Sequence, residues 1–304
     1  FVSRPGHVFI EADYKGAELA GMAGQAEDAA MADHVRRMKL PEDHPDHYDI
    51  HSGVAITAFK LVMPDGSAVP PTKAGLKAFT KAIGQPNKKI RDPAKPVVYG
   101  YAYGMGPASA QRKAKEEGAD VSLEDAEALI AGLEQNYPNL PPYFASAREC
   151  SQNQGYLVGP LGRMRRFYRT TDRKVIGDQE REAQNFPVQN LVADAVSRAL
   201  DHLYNHPTRF SWGWRIVLQI HDAFLFEVPV EHVIGMLDHV IPECMEDLVP
   251  IPIRDLRGVY LDAPDCRLAC DRAVYERWGS PLEQADADRL GLPAKSPGGI
   301  KIVG

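Results

Sequence analysis

The stretch IVLQIHDAFLFEV, residues 216–228, sets two runs of β-branched and aromatic residues on either side of a polar His221–Asp222 step. Such runs predict a β-hairpin with a carboxylate at its tip. Asp222 has two readings here. It is a turn residue whose side chain bonds nearby backbone N–H groups, or it is a functional acid carried by a rigid hairpin. The rest of the chain has to decide between them.

Residues 8–12, Val-Phe-Ile-Glu-Ala, read as a short strand that runs directly into Asp13. An acid at the C-terminal end of an apolar strand is where open sheets place functional groups. The alternative makes Asp13 the N-cap of an Ala-rich helix over 17–32. Residues 33–48, charged and carrying three His and two Pro, predict an exposed connection. A short helix follows from Ile50, with His51 at its start, where a lone histidine is ordinarily a surface or capping residue. Residues 60–88 predict a loop holding one helix at about 73–83.

Arg91, Lys95, Tyr99 and Tyr103 recur every fourth residue, a spacing that lines two cations and two phenol rings along one helix face. Cations suit phosphates, and rings suit bases or sugars. A solvated basic turn leading into core tyrosines is the other reading. Pro93 and Pro96 predict an irregular helix start with Arg91 outside the regular turns. Ser122 and Asp125 form a near capping box for a helix to about residue 136, and another helix over 143–154 should end at Gly155.

Residues 162–174 hold Arg163, Arg165, Arg166, Arg169, Arg173 and Lys174 with Phe167 and Tyr168 among them. That tract suits a nucleic-acid backbone or a solvated hairpin. Arg181, Asn185 and Gln189 lie four apart at the start of an amphipathic helix through Leu203. A helix over 231–249 should turn Val233, Met236, Leu237, Val240 and Ile241 inward. A last strand over 251–261 and an appended Pro-, Gly- and Ala-rich tail from about 280 complete the pattern.

Composition narrows the classes. With 304 residues, 44% apolar and 25% charged, the chain can bury a sizeable core. Net charge is −6, so cations are local and not a general basic coat. Cysteines 150, 244, 266 and 270 form no CxxC pair and read as free thiols, which argues against zinc. No run has the length of a membrane span or the pattern of a signal peptide, so a cytoplasmic location and no membrane partner are expected. A small-molecule phosphotransferase would need a GxxxxGK[ST] loop, and none occurs. The chain enters a strand within eight residues of Phe1, which suggests the C-terminal piece of something longer.

In order and spacing these motifs resemble the family A DNA polymerases, of DNA polymerase I-like or phage type, over roughly residues 3–260. Asp13-Tyr14-Lys15-Gly16-Ala17-Glu18-Leu19 is similar to a first motif usually written Asp-Tyr-Ser-Gln-Ile-Glu-Leu-Arg. The Arg91 to Gly104 row resembles the nucleotide-binding helix of the fingers. Ile220-His221-Asp222 resembles a third motif that is usually His-Asp-Glu. Asp49-Ile50-His51, the tract from Arg163 to Arg166, and the Arg181, Asn185, Gln189 row fall where the family has secondary motifs. Ala223 stands where the family's second acid would be, and Gly16 and Ala20 replace a Gln and an Arg.

The resemblance implies an α+β fold: an antiparallel palm sheet with flanking helices over 1–30 and 155–275, helical fingers over 31–154, and a tail over 276–304, with thumb and exonuclease domains absent from this chain. It implies template-directed addition of deoxynucleotides to a primer 3′ end with two Mg²⁺ ions, or Mn²⁺ in their place, held by Asp13, Asp222 and the Tyr14 main-chain carbonyl. Arg91, Lys95 and His51 would hold the triphosphate, Lys95 would also protonate the leaving group, and Tyr99 would pack on the incoming nucleotide. Glu18, bonded to Tyr103, would exclude the ribose 2′-hydroxyl. Arg163, Arg165, Arg166, Arg181, Asn185, Gln189 and His221 would contact primer-template DNA. An N-terminal thumb or exonuclease segment or chain is an expected partner. The rival reading is a catalytically weak or inactive DNA-binding fragment that needs that missing part.

Overall fold

The computed structural model describes residues 1–84, 90–247, 254–261 and 268–304. In chain order its elements are β1 (His7–Tyr14), α1 (Ala17–Gln25), α2 (Ala29–Met38), α3 (Ile50–Ala58), α4 (Lys73–Ala82), α5 (Ala94–Ala102), α6 (Pro107–Glu116), α7 (Leu123–Asn136) and α8 (Leu140–Glu149). There follow β2 (Tyr156–Val158), β3 (Met164–Arg166), α9 (Arg173–Asn205), α10 (Thr208–Ser211), β4 (Arg215–Ile220), β5 (Ala223–Pro229), α11 (Val233–Gly235), β6 (Cys270–Arg277), β7 (Ser280–Pro281) and α12 (Gln284–Leu290). The chain divides into two compact units, one of residues 1–17, 192–251 and 267–304, the other of 18–191 and 252–266.

The first unit is built on a five-stranded sheet in the order β4-β5-β1-β6-β7, with antiparallel pairing throughout. β1 is central because it is apolar on both faces: Val8, Phe9, Ile10 and Ala12 are all buried. β5 is buried along its whole length, including Phe224, Phe226 and Val228. Val233, Met236, Leu237, Val240 and Ile241 are inside as the periodicity demands, although residues 236–240 and 242–247 wind as π-helix.

In the second unit α3, α5 and α7 pack on one another. α7 and α3 meet closely at Gly132, where an added Cβ would sit 2.9 Å from the Ala58 backbone nitrogen. α7 starts with a complete Ser122–Asp125 capping box, and Gly155 ends the helical run after α8 with φ 74°.

Several expectations need correction. The Ala-rich helix is two helices, because Glu27 takes φ 49° and the Asp28 side chain accepts from Met31 N–H to cap a new start. α2 therefore occupies part of what reads as an exposed connection, and His47 and Tyr48 are buried. α5 begins at Ala94 and is C-capped by Tyr103, so only Lys95 and Tyr99 of the four-residue row lie within it. α9 starts at Arg173, where the Asp172 carboxylate receives Lys174 N–H at 2.8 Å. β6, paired to β1, has no counterpart in the sequence reading. Of the strand expected over 251–261, residues 251–253 lie outside the described residues, and the remainder makes one bridge, Arg254 with Tyr260. The tail is packed: Leu282, Ala287, Leu292 and Ile302 are buried.

Candidate active site

The hairpin reading of residues 216–228 holds, and its turn is the two residues His221 and Asp222 between β4 and β5. His221 adopts φ 53°, a left-handed backbone that lets a two-residue loop follow the strand twist. Across the sheet, Asp13 pairs with Ala223 on one side and with Asp271 on the other. Asp13 thus lies in β1 and caps no helix. It stands beside the hairpin turn, and its carboxyl and that of Asp222 are close enough to share a hydrogen bond.

This juxtaposition is electrostatically unfavourable without a cation. The Asp13 carboxyl is pushed up to about 6, first by partial burial, then by the charge and hydrogen bond of Asp222, with smaller contributions from Glu11 and Asp271. Tyr14, next along the strand, is buried and donates its hydroxyl to the Met245 carbonyl at 2.9 Å, which anchors the end of β1. Burial raises its phenol well above the usual value.

Among the described residues, no three His, Cys, Asp or Glu side chains gather into a ready-made metal cage. Two carboxylates with solvent access nevertheless suit Mg²⁺, which favours hard oxygen ligands and retains waters or substrate phosphates.

The second unit groups the candidate triphosphate residues. Asp49 caps α3 through Ser52 N–H and takes both arms of the Arg91 guanidinium, at 2.8 and 3.0 Å. Burial alone would raise the Asp49 carboxyl, yet hydrogen bonds from Arg91 and Ser52 hold it below the usual range. His51 is buried, its ring 5.7 Å from that of Tyr99, and burial pushes its pKa down to about 4. Its Nδ1 has no hydrogen-bond partner among the described residues. At neutral pH it is an uncharged imidazole that could meet a phosphate as a hydrogen-bond donor. Lys95 is exposed and Tyr99 half-buried, one helical turn apart on α5.

A second group forms where α5 ends. The Tyr103 hydroxyl donates to Glu18 Oε1 at 3.4 Å and accepts from Gln189 Nε2 at 3.1 Å, and Lys113 Nζ lies 5.3 Å from its ring centre. Arg163, Arg165 and Arg166 are all exposed, Arg165 being ion-paired with Glu182. Arg181 is paired with Asp178, and the Asn185 Oδ1 is buried without a partner among the described residues.

The structure thus brings together Asp13 with Asp222, His51 with Tyr99, and Glu18 with Tyr103 and Gln189. Two residues escaped the sequence reading. Asp49 entered only as the first residue of the Asp49-Ile50-His51 stretch, with no cap or partner assigned to it, and Gln184 lies one residue off the four-residue row of α9.

A five-stranded antiparallel sheet with an acid pair at a hairpin turn, accompanied by helices, has the architecture of a polymerase domain. It superposes on the POL domain of Pol1 from M. smegmatis, a complex with DNA primer-template and dNTP, with TM-score 0.65 and 23% identity over 91% of this chain and 41% of that one. The chain belongs to DNA polymerase family A, whose family model matches residues 72–279. It is 26% identical to DNA polymerase I of Caldicellulosiruptor bescii over 255 residues, 83% of this chain and 26% of that protein. It is 29% identical to the thermostable DNA polymerase I of Thermus filiformis over 255 residues, again 83% and 26%. The chain spans about a quarter of the length of these relatives. Among the described residues no helix is long and apolar enough to cross a membrane.

Proposed function

We propose that this chain carries the nucleotidyl-transfer centre of a template-directed DNA polymerase, with the sheet unit as palm and the α3–α8 region as fingers. The observation that carries the reading is the Asp13–Asp222 pair, held at a rigid hairpin turn with a carboxyl pushed up to about 6. Such a pair is poised to trade a proton for a cation. When bound there, with the Tyr14 carbonyl as a further ligand, a pair of Mg²⁺ ions would supply acidification of the primer 3′-hydroxyl and neutralisation of developing phosphate charge.

In this reading the hydroxyl oxygen displaces pyrophosphate from the α-phosphorus of a deoxynucleoside triphosphate. Lys95, exposed one turn before Tyr99, binds the triphosphate and gives a proton to the departing oxygen. Arg91 acts from a position fixed by Asp49, while Tyr99 supports the sugar and base. Glu18, tied to Tyr103, walls off the space a ribose 2′-hydroxyl would need. The arginines at 163, 165 and 166, with Arg181, Asn185, Gln189 and His221, bind the primer-template. Their contacts to phosphates fix register and carry no sequence preference.

The test is extension of a labelled primer with Mg²⁺ by the complete polypeptide, beside Asp13→Asn. Template-dependent extension lost in the variant by about 10³-fold or more, as expected when an electrostatic group of the centre is removed, supports the reading. DNA binding with no extension by the wild type favours an inactive DNA-binding protein, to which Ala223 in place of a second acid points.

A further inference from the structure

The end of α5 is fastened in a way that neither the four-residue row nor the ion pairs account for. After Ala102 the chain closes a Schellman turn: Met105 N–H bonds the Gly100 carbonyl at 2.9 Å and Gly104 N–H bonds the Tyr101 carbonyl at 3.0 Å. Gly104 has φ 76°, and an added Cβ would lie 3.4 Å from the Arg181 Cα, so α5 ends hard against the backbone of α9. The Tyr101 carbonyl has a second lone pair, and it is taken by Gln184 Nε2 at 2.9 Å. Gln184 Oε1 in turn accepts from Arg148 on α8 at 2.9 Å.

Gln184 is only 4% exposed. A buried amide is costly to leave unbonded, and here both of its ends are used. Arg148 can only donate, so it fixes which end of the amide faces α5, and the NH₂ group must point at the Tyr101 carbonyl. Five residues further along α9, Gln189 reaches the hydroxyl of Tyr103, the residue that C-caps α5 and bonds Glu18. α9 therefore grips the same helix end twice, once by its backbone and once by its terminal side chain.

We propose that Gln184 is a positioning residue for sugar selection: through the Tyr101 carbonyl it holds Tyr103 against Glu18, and so keeps closed the wall that excludes a ribonucleotide. This rests on the polymerase reading and on the roles given there to Tyr103 and Glu18. A plain cross-brace between helices would have a different consequence. Its loss would lower stability and turnover for both nucleotide types alike, with their ratio unchanged.

Gln184→Glu separates the two. A carboxylate keeps an acceptor for Arg148 but has no donor for the Tyr101 carbonyl. In the complete polypeptide, kcat and KM are measured for one deoxynucleotide and the matching ribonucleotide, with melting temperature as control. The expected result is a ratio of kcat/KM, deoxy over ribo, lowered about five- to tenfold, the effect of one well-formed hydrogen bond, carried mainly by the KM values. Arg148→Met, at a half-buried position, frees the amide to rotate and should lower the ratio about twofold to threefold by the same logic. An unchanged ratio in Gln184→Glu overturns the proposal, and if that variant does not fold, an unchanged ratio in Arg148→Met does so. A wild type that extends no primer overturns the polymerase reading itself, and this inference with it.

Discussion

Asp13 bears the largest electrostatic strain at the site, and its sign can be worked through. Its folded-state pKa of about 6 lies above the ordinary 3.8. Between those values the folded chain holds a proton that the unfolded chain has released, so stability falls as pH rises through that window. Above it the ionised pair opposes folding unless a cation is bound. Asp13→Asn should therefore raise the melting temperature at neutral pH by roughly 2 °C, taking about 1 kcal/mol after solvent screening. Near pH 4 the variant should match the wild type. Added Mg²⁺ should raise the wild-type melting temperature and leave the variant unmoved. Calorimetry at the two pH values checks all three.

At the scale of elements, the cap of α3 is joined to the turn before α5 by a pair formed across 42 residues, Asp49 with Arg91. The two side chains are 6% and 17% exposed, so the pair is shielded from water and well above the value of a surface contact. Asp49→Ala also removes the cap of α3 and should lower stability by about 2–3 kcal/mol in urea unfolding. Because the Asp49 pKa is depressed, its contribution is present above the unfolded value and fades as pH falls below it, so the gap between variant and wild type should shrink near pH 3.

What could be read from the sequence divides along the same line. The hairpin at 216–228, the strand before Asp13, and the cap at Ser122 are local patterns, and each was legible. The Asp49–Arg91 pair, the Gln184 grip and the β1–β6 pairing depend on which distant segments meet. β6 reads Cys-Asp-Arg-Ala-Val-Tyr-Glu-Arg, with no clean alternation, because it lies beside β1 with both faces partly exposed. α2 was hidden by the charge of residues 33–38, which its outer face carries into solvent.

Over the whole molecule, residues 280–304, which follow the family match, form an integrated part of the sheet unit. The Asp238 carboxylate accepts from Ser296 Oγ at 2.6 Å and from Gly298 N–H at 2.9 Å, and a Cβ at Gly298 would come 2.6 Å from Asp238 Oδ1, so a side chain there would displace the carboxylate. Asp238→Ala should cost about 1–2 kcal/mol, read as a lower melting temperature, since it leaves Ser296 and the Gly298 amide without their acceptor. Composition alone, rich in Pro and Gly, suggested a loose appendage there, and the burial of Leu282, Leu292 and Ile302 shows how few apolar residues suffice to dock such a segment.

In the proposed reading Asp13 and Asp222 act as one cation site. It is tested most directly by titrating Mn²⁺ into the complete polypeptide, with primer-template and a deoxynucleoside triphosphate present, and following free Mn²⁺ by electron paramagnetic resonance. Two bound ions per chain are expected in the wild type, with at least one lost in both Asp13→Asn and Asp222→Asn. Equal Mn²⁺ binding by the wild type and both variants would contradict that reading.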